Sequence, residues 1–302
     1  MRLSITSLKP AVNRAMEKIH AVCDLPSCYS RQIVRCIPGG RRGIRVGERW
    51  YCSVDCFVES ARTMLFALSN RRVVEIPRNP RLSLGLVMLS KRYLTAEQLR
   101  AASVQSQWRD ESLDATLVRL GMATEKQIAV ARSAQWGYPV LAAEHIGHMV
   151  QTDIPRAIFE PYSAVPMHYS QAAKRIILGF VFRIEHSLLE AIEQMTGCRV
   201  EPCFVTATDY AEQNERLAQI PGYHEILIED PGTAEKMARA LGRAAVDVLA
   251  AEAEYTQCKN HIWVRLKGRH DIADVVFRTE NAATESFTAQ SDFLVEPSAS
   301  LR

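Results

Sequence analysis

Five of the chain's eight cysteines fall within its first fifth: Cys23, Cys28, Cys36, Cys52 and Cys56. Cys23 and Cys28 form one close pair, with four residues between them. Cys52 and Cys56 form another, with three between them, and 23 residues separate the pairs. Clustered cysteines of this kind suit metal ligation, because a tetrahedral zinc ion takes four soft ligands and two knuckles supply two each. The spacing therefore predicts a structural zinc site on Cys23, Cys28, Cys52 and Cys56, with Cys36 and His20 as substitutes in the first pair. A closed shell of four thiolates leaves no coordination position for substrate, so the expected role is a scaffold. The plainer alternative is five unligated thiols in a small reduced fold. The other cysteines, Cys198, Cys203 and Cys258, are scattered.

Local patterns indicate what must hold these ligands. Pro38-Gly39-Gly40 and Gly43 are turn signals inside the loop. Trp50 to Ser53 reads as a short strand entering the second knuckle. Val54 to Leu68 reads as a helix, with Phe57, Ala61, Met64, Leu65 and Leu68 on one face. Tyr51-Cys52-Ser53 followed by Cys56 resembles the second knuckle of treble-clef-like zinc fingers, in which the second cysteine pair opens a helix. A module this small needs a metal staple, because its own core is marginal.

The charge distribution adds a second theme. Residues 1–80 carry 14 Lys/Arg against 6 Asp/Glu, and the rest carries 23 against 28, within a net charge of +3. Arg31, Arg35, Arg41, Arg42, Arg45 and Arg49 crowd the knuckle loop. Arginine suits bidentate phosphate contact, so nucleic acid is one partner class. A solubilising arginine surface is the plainer reading.

Next comes a repeat. Leu84 to Leu89 returns 29 positions later as Leu113 to Val118. Leu94-Thr95 answers to Ala123-Thr124, Gln98-Leu99 to Gln127-Ile128, and Ala102 to Ala131. Each copy reads as a short helix, a tight turn and a second helix opened by a threonine cap. Fixed-period similarity means one supersecondary unit used twice. Four short helices are expected over residues 81–135.

Arg81 to Leu99 resembles the N-terminal domain of type II secretion and type IV pilus assembly ATPases (the GspE N-terminal, or MshE N-terminal, type). Trp136-Gly-Tyr-Pro-Val140, Ile154 to Met167 and Met195 to Val205 continue the likeness in order, covering about residues 80–217. The resemblance implies an interaction domain. In some family members it also implies a cyclic di-GMP site across the two repeats. Carried onto this chain, that site comprises Leu84, Gly85, Leu89, Leu99, Leu113, Leu117, Gly121 and Gln135. The family's motif arginines fall on Ser83 and Ser112, its first glycine is Asp114 in the second copy, its second glycine is Arg92 in the first copy, and its closing glutamine is Ser106 there. Serine neither stacks on guanine nor grips phosphate, and aspartate adds repulsion. Arg81 and Arg119 are the neighbouring candidates to compensate.

The family's motor is preceded by such a domain, but this sequence has no phosphate-cradling Gly-x-x-x-x-Gly-Lys-Ser/Thr loop. The histidines at 145, 148, 168, 186, 224, 261 and 270 are dispersed, and neither a nucleophile elbow nor a HisGluxxHis helix is present. A non-enzymatic regulatory or adaptor protein is expected, with unknown protein partners linked to secretion, pilus or signalling machinery. The alternatives are a cyclic di-GMP receptor and a nucleic-acid binder. No apolar run of about 18 residues and no secretory signal are seen, so a cytoplasmic location without membrane spans is expected.

The expected fold is α+β: a basic zinc knuckle (1–70), a helical tandem-repeat subdomain (78–136), a small α/β layer subdomain (137–218), a C-terminal helix plus β-hairpin (223–278) and a disordered tail (279–302). Ala164–Met167, Ile176–Phe182 and Val200–Val205 read as strands. Ser187–Thr196 reads as a helix closed by Gly197. Thr233–Glu252 reads as a long helix, and 261–266 with 273–277 as the hairpin. That last pair is too little for a core of its own, and it is expected to lie on the 154–210 sheet or on a partner.

Overall fold

In a computed structural model the described residues are 23–29, 43–71, 82–141, 152–219 and 224–279. They fall into two compact units, and the chain is α+β as expected. Residues 23–71 and 224–279 together make the first, here the knuckle unit. Residues 82–219 make the second, the repeat unit.

The knuckle unit is a six-stranded sheet in the order β2-β1-β7-β8-β9-β6. The strands are β1 (Ile44–Val46), β2 (Arg49–Tyr51), β6 (His224–Ile228), β7 (Glu252–Cys258), β8 (His261–Lys267) and β9 (Ile272–Arg278). Strands β7, β8 and β9 run antiparallel in sequence, β6 joins β9 in parallel, and β1 joins β7 in parallel. Two helices, α1 (Val54–Asn70) and α9 (Ala234–Asp247), pack together and share one core with the sheet. Alternation decides the sheet's contribution: Ile262, Val264 and Leu266 of β8, with Ala273, Val275 and Phe277 of β9, enter that core. Phe57, Ala61 and Leu65 of α1 meet it, as do Met237, Leu241 and Ala245 of α9. Gly242 sets the helix spacing. A Cβ there would lie 2.6 Å from Val58 Cγ2, so a side chain would force the helices apart.

The opposite face of β8 and β9 is also buried, although it is polar. Trp263, Arg265 and Asp274 are at most 5 % exposed. Arg265 and Asp274 sit directly opposite each other and form an ion pair at 2.9 Å, while Trp263 Nε1 donates to Asp274 Oδ1 at 2.5 Å. The Arg265 guanidinium lies 5.1 Å from the Trp263 ring centre. A buried carboxylate is tolerated because it is both paired and hydrogen-bonded.

This unit corrects three expectations. Residues 1–70 and 223–278 are not separate modules. The helix and hairpin lack a core of their own, and they find one against α1, β1 and β2 rather than on the 154–210 sheet. The long helix ends at Asp247, with Leu249 at φ 50, because residues 252–258 are needed as strand β7. Strand β6 was not foreseen. The 279–302 tail lies outside the described residues beyond Thr279.

The repeat unit follows the expected order. Helices α2 (Leu84–Ser90), α3 (Ala96–Arg109), α4 (Leu113–Arg119) and α5 (Glu125–Trp136) form the tandem pair. One core of Val87, Met88, Leu94, Leu99, Leu117, Ala123, Ile128 and neighbours closes it. A one-turn helix, α6 (Arg156–Phe159), leads into β3 (Ala164–Ser170), β4 (Arg175–Phe180), α7 (His186–Thr196), β5 (Arg199–Phe204) and α8 (Ala207–Gln219). The sheet order is β3-β4-β5, with β3–β4 antiparallel and β4–β5 parallel across α7. Gly197 closes α7 in the left-handed region, as its position after Thr196 predicts. No described helix is long and apolar enough to cross a membrane.

Candidate metal centre and repeat helices

Strand β2 delivers Cys52, and the start of α1 delivers Cys56. Ser53 caps that helix, its Oγ accepting from the Cys56 backbone N–H at 3.2 Å, which fixes the second pair over the helix N-terminus. The first pair comes from a tight turn in which the Cys28 N–H donates to Leu25 O at 3.1 Å. Asp24 ties that turn to β2 twice. Its N–H donates to Trp50 O at 2.9 Å, and its Oδ2 accepts from the Trp50 N–H at 2.7 Å.

The four sulfurs converge. Cys28–Cys52 and Cys52–Cys56 are 3.6 Å apart, Cys28–Cys56 is 3.7 Å, and all four ligand atoms including that of Cys23 lie within 4.8 Å of one another. A tetrahedral zinc site with bonds of about 2.3 Å has sulfur–sulfur edges of about 3.8 Å. The donor set and spacing therefore fit such an ion. Burial, reinforced by hydrogen bonds from the Cys28, Cys56 and Cys23 thiols, pushes the Cys52 thiol far above its ordinary range, and burial also raises Cys56. Thiols packed this closely cannot all ionise unaided, and a divalent cation removes that penalty. Cys23 is fully buried, and Cys28, Cys52 and Cys56 are half-buried. Among the described residues no other group of three or more metal-ligating side chains converges. Cys36, His20, Arg31, Arg35, Arg41 and Arg42 lie outside the described residues. Arg45 and Arg49 stand exposed on β1 and β2.

In the repeats, equivalent positions do equivalent local work. Ser83 and Ser112, where the resembled motif has arginine, cap α2 and α4 by accepting from the backbone N–H groups of Leu86 and Ala115. Thr95 and Thr124 open α3 and α5 with complete capping boxes to Gln98 and Gln127. Arg92 and Gly121 occupy the same turn position with φ 59 and φ 66. The first copy thus holds a non-glycine residue where the backbone is left-handed.

The eight residues carried over for nucleotide binding are placed as follows. Leu99 and Leu117 belong to the repeat core, and Leu84, Leu89 and Leu113 pack against it. Gly85 is buried, with Leu99 side-chain atoms 3.0 Å from where its Cβ would be. Gly121 forms the exposed second turn. Gln135 Nε2 donates to Leu82 O at 2.7 Å, tying the end of α5 to the entry of α2. Asp114 forms an ion pair with Arg132, whose guanidinium also donates to Phe182 O and lies 5.7 Å from the Phe182 ring centre. Arg119 is engaged by Glu111 at 3.0 Å, which holds that carboxyl below its usual range. Arg81 lies outside the described residues. Val104 and Trp108, one turn apart on α3, are exposed, Trp108 at 83 %.

Sequence reasoning missed the Asp114–Arg132–Phe182 junction between helical and layer subdomains, and the Trp263–Arg265–Asp274 group. For the second a signal existed: charged residues at alternate positions of apolar strands that face inward. For the first there is no local signal, because Arg132 finds its partners 18 and 50 residues away.

No family model matches the chain. A type IV pilus assembly ATPase, PilB of Thermus thermophilus, is 26% identical over 129 residues, which is 42% of this chain and 14% of that protein. The chain thus spans a small part of the curated relative it matches. Among solved structures, one of MshE with cdg is 16% identical with a TM-score of 0.37, covering 45% of this chain and 99% of that one. The N-terminal domain of XpsE is 19% identical with a TM-score of 0.35, covering 44% and 92%. The chain is therefore similar in sequence, over part of its length, to a pilus assembly ATPase.

Proposed function

We propose that this chain is a non-enzymatic regulatory or adaptor protein of a secretion or pilus-assembly system, in which a structural zinc ion on Cys23, Cys28, Cys52 and Cys56 stabilises the knuckle unit. The observation that carries the reading is the tandem of identically capped helix pairs, in a chain with a 129-residue match to a pilus assembly ATPase. The work is protein contact, and the exposed Val104–Trp108 face of α3 offers apolar surface for it. A cytoplasmic location accompanies this reading.

The rival reading is a cyclic di-GMP receptor. Against it stand the side chains that would do the binding. Ser83 and Ser112 are spent on helix caps, Asp114 is held by Arg132, and Arg119 is held by Glu111. A nucleic-acid role through the arginine loop rests on charge alone. Calorimetry of the full chain with cyclic di-GMP, alongside cross-linking to secretion or pilus-assembly components in the host, tests the proposal. Cross-links that weaken in Trp108→Ala and no heat of nucleotide binding are expected. Micromolar nucleotide binding abolished by Gln135→Ala would replace the adaptor by the receptor.

A further inference from the structure

The cysteine cluster packs with a core built mostly from the other end of the sequence. Cys23 belongs to the same buried cluster as Met237, Leu241, Val264 and Phe277, and Cys28, Cys52 and Cys56 pack against it. The knuckle's two strands have three residues each and cannot stand alone as a hairpin. They gain a third partner through β7, where Val46 pairs with Ala253 and the Arg45 N–H donates to Ala251 O at 2.9 Å. Helix α1, whose N-terminus carries two of the thiols, packs on α9, and its C-terminal Arg71 carbonyl accepts from Gln257 Nε2 on β7 at 3.3 Å.

We propose that metal occupancy at the four thiols controls whether the sheet of residues 224–279 is folded, so that the cluster is a conformational switch for a sequence-distant element. This rests on the zinc reading given above. Beyond the Ser53 cap and the Asp24–Trp50 bonds, metal ties the first turn of α1 to the turn at residues 24–28 and so to the β1–β2 hairpin. Without it, four crowded thiols do not make that tie. α9 and β7 then lose the helix and strand that cover them, and the C-terminal core opens. The repeat unit has its own caps and core and stays folded. Linkage makes the coupling reciprocal: if metal binding and folding of this core are coupled, a change that loosens the α1–α9 contact must also weaken metal binding, although it touches no ligand.

The test uses the full chain and zinc itself. Metal content is measured first, and amide hydrogen exchange is followed before chelation, after chelation and after zinc is restored. Expected is exchange faster by about 100-fold in α1, α9 and β7–β9 on chelation, reversed by zinc, with α2–α5 unchanged. Gly242→Ala, which wedges α9 from Val58, is expected to lower zinc affinity about tenfold with all four cysteines intact. If zinc binds and is removed while residues 252–278 keep their protection, the switch is wrong although the zinc site stands. If the chain binds no zinc at all, the metal reading itself fails and the switch falls with it. Unchanged zinc affinity in a folded Gly242→Ala variant also overturns the coupling.

Discussion

The two units solve the problem of a small core in opposite ways. The repeat unit is continuous in sequence, and each of its four tandem-repeat helices, α2 to α5, is capped by a nearby side chain: Ser83, Thr95, Ser112 and Thr124 all cap within three residues of themselves. The knuckle unit is assembled from two stretches far apart in the chain, and its edges are closed by remote partners: β1 by β7, α1 by α9, one thiol pair by the other. Local closure makes an element that tolerates change in its surface. Remote closure makes one in which a single lost contact is felt at both ends of the sequence.

Perturbations should divide along that line. The largest is Asp274→Ala. It leaves Arg265 charged, buried and without its carboxylate, at a cost of about 3–5 kcal/mol. Hydrogen exchange should accelerate throughout the knuckle unit and stay unchanged in the repeat unit. Equal acceleration in both would erase the distinction.

Acid should divide the units next. Burial, with Arg278 beside it, lowers the His261 imidazole to about 4. An exposed imidazole protonates near 6.5, so between these values the unfolded chain binds a proton that the folded chain refuses. The knuckle unit should therefore lose stability as pH falls from about 6.5 to 4, by of order 3 kcal/mol. The difference between wild type and His261→Gln isolates this from metal release. A variant with the same pH profile as wild type would remove His261 as the cause.

The smallest effect sharpens the comparison inside the repeat unit. Arg92 and Gly121 share a left-handed turn position, so Arg92→Gly should raise stability by up to about 1 kcal/mol and Gly121→Arg should lower it by a similar amount. Denaturant midpoints measure both. The same sign for the two changes would mean that side-chain contacts, not the backbone, decide that turn.

What the sequence made legible follows the same division. Both threonine caps, the four helices, Gly197 as a helix stop and the strand–helix–strand order of 164–205 all rest on signals a few residues long. The cysteine cluster was legible because ligand type and spacing are written locally at each knuckle, and a four-ligand site requires the two knuckles to meet, as they do. Strand β7 was hidden. Glu252-Ala-Glu-Tyr-Thr-Gln-Cys carries weak alternation, and what makes it a strand is the hairpin on one side and Val46 on the other. Asp114 read as a loss of ligand binding, whereas its partner Arg132, eighteen residues on, gives it a different task.

The discontinuous sheet also has a consequence in time. Arg71 and Gln257, bonded in the finished unit, are separated by 186 residues. At ribosomal rates of about 5–20 residues per second, the first segment waits roughly 10–40 s for the strands that will cover it. During that interval the repeat unit, rich in local contacts, has ample time to fold. The thiols meanwhile are held by an incomplete knuckle, open to metal, oxidant or chaperone. On the zinc reading proposed above, the order of emergence makes metal capture during synthesis the step most exposed to oxidants.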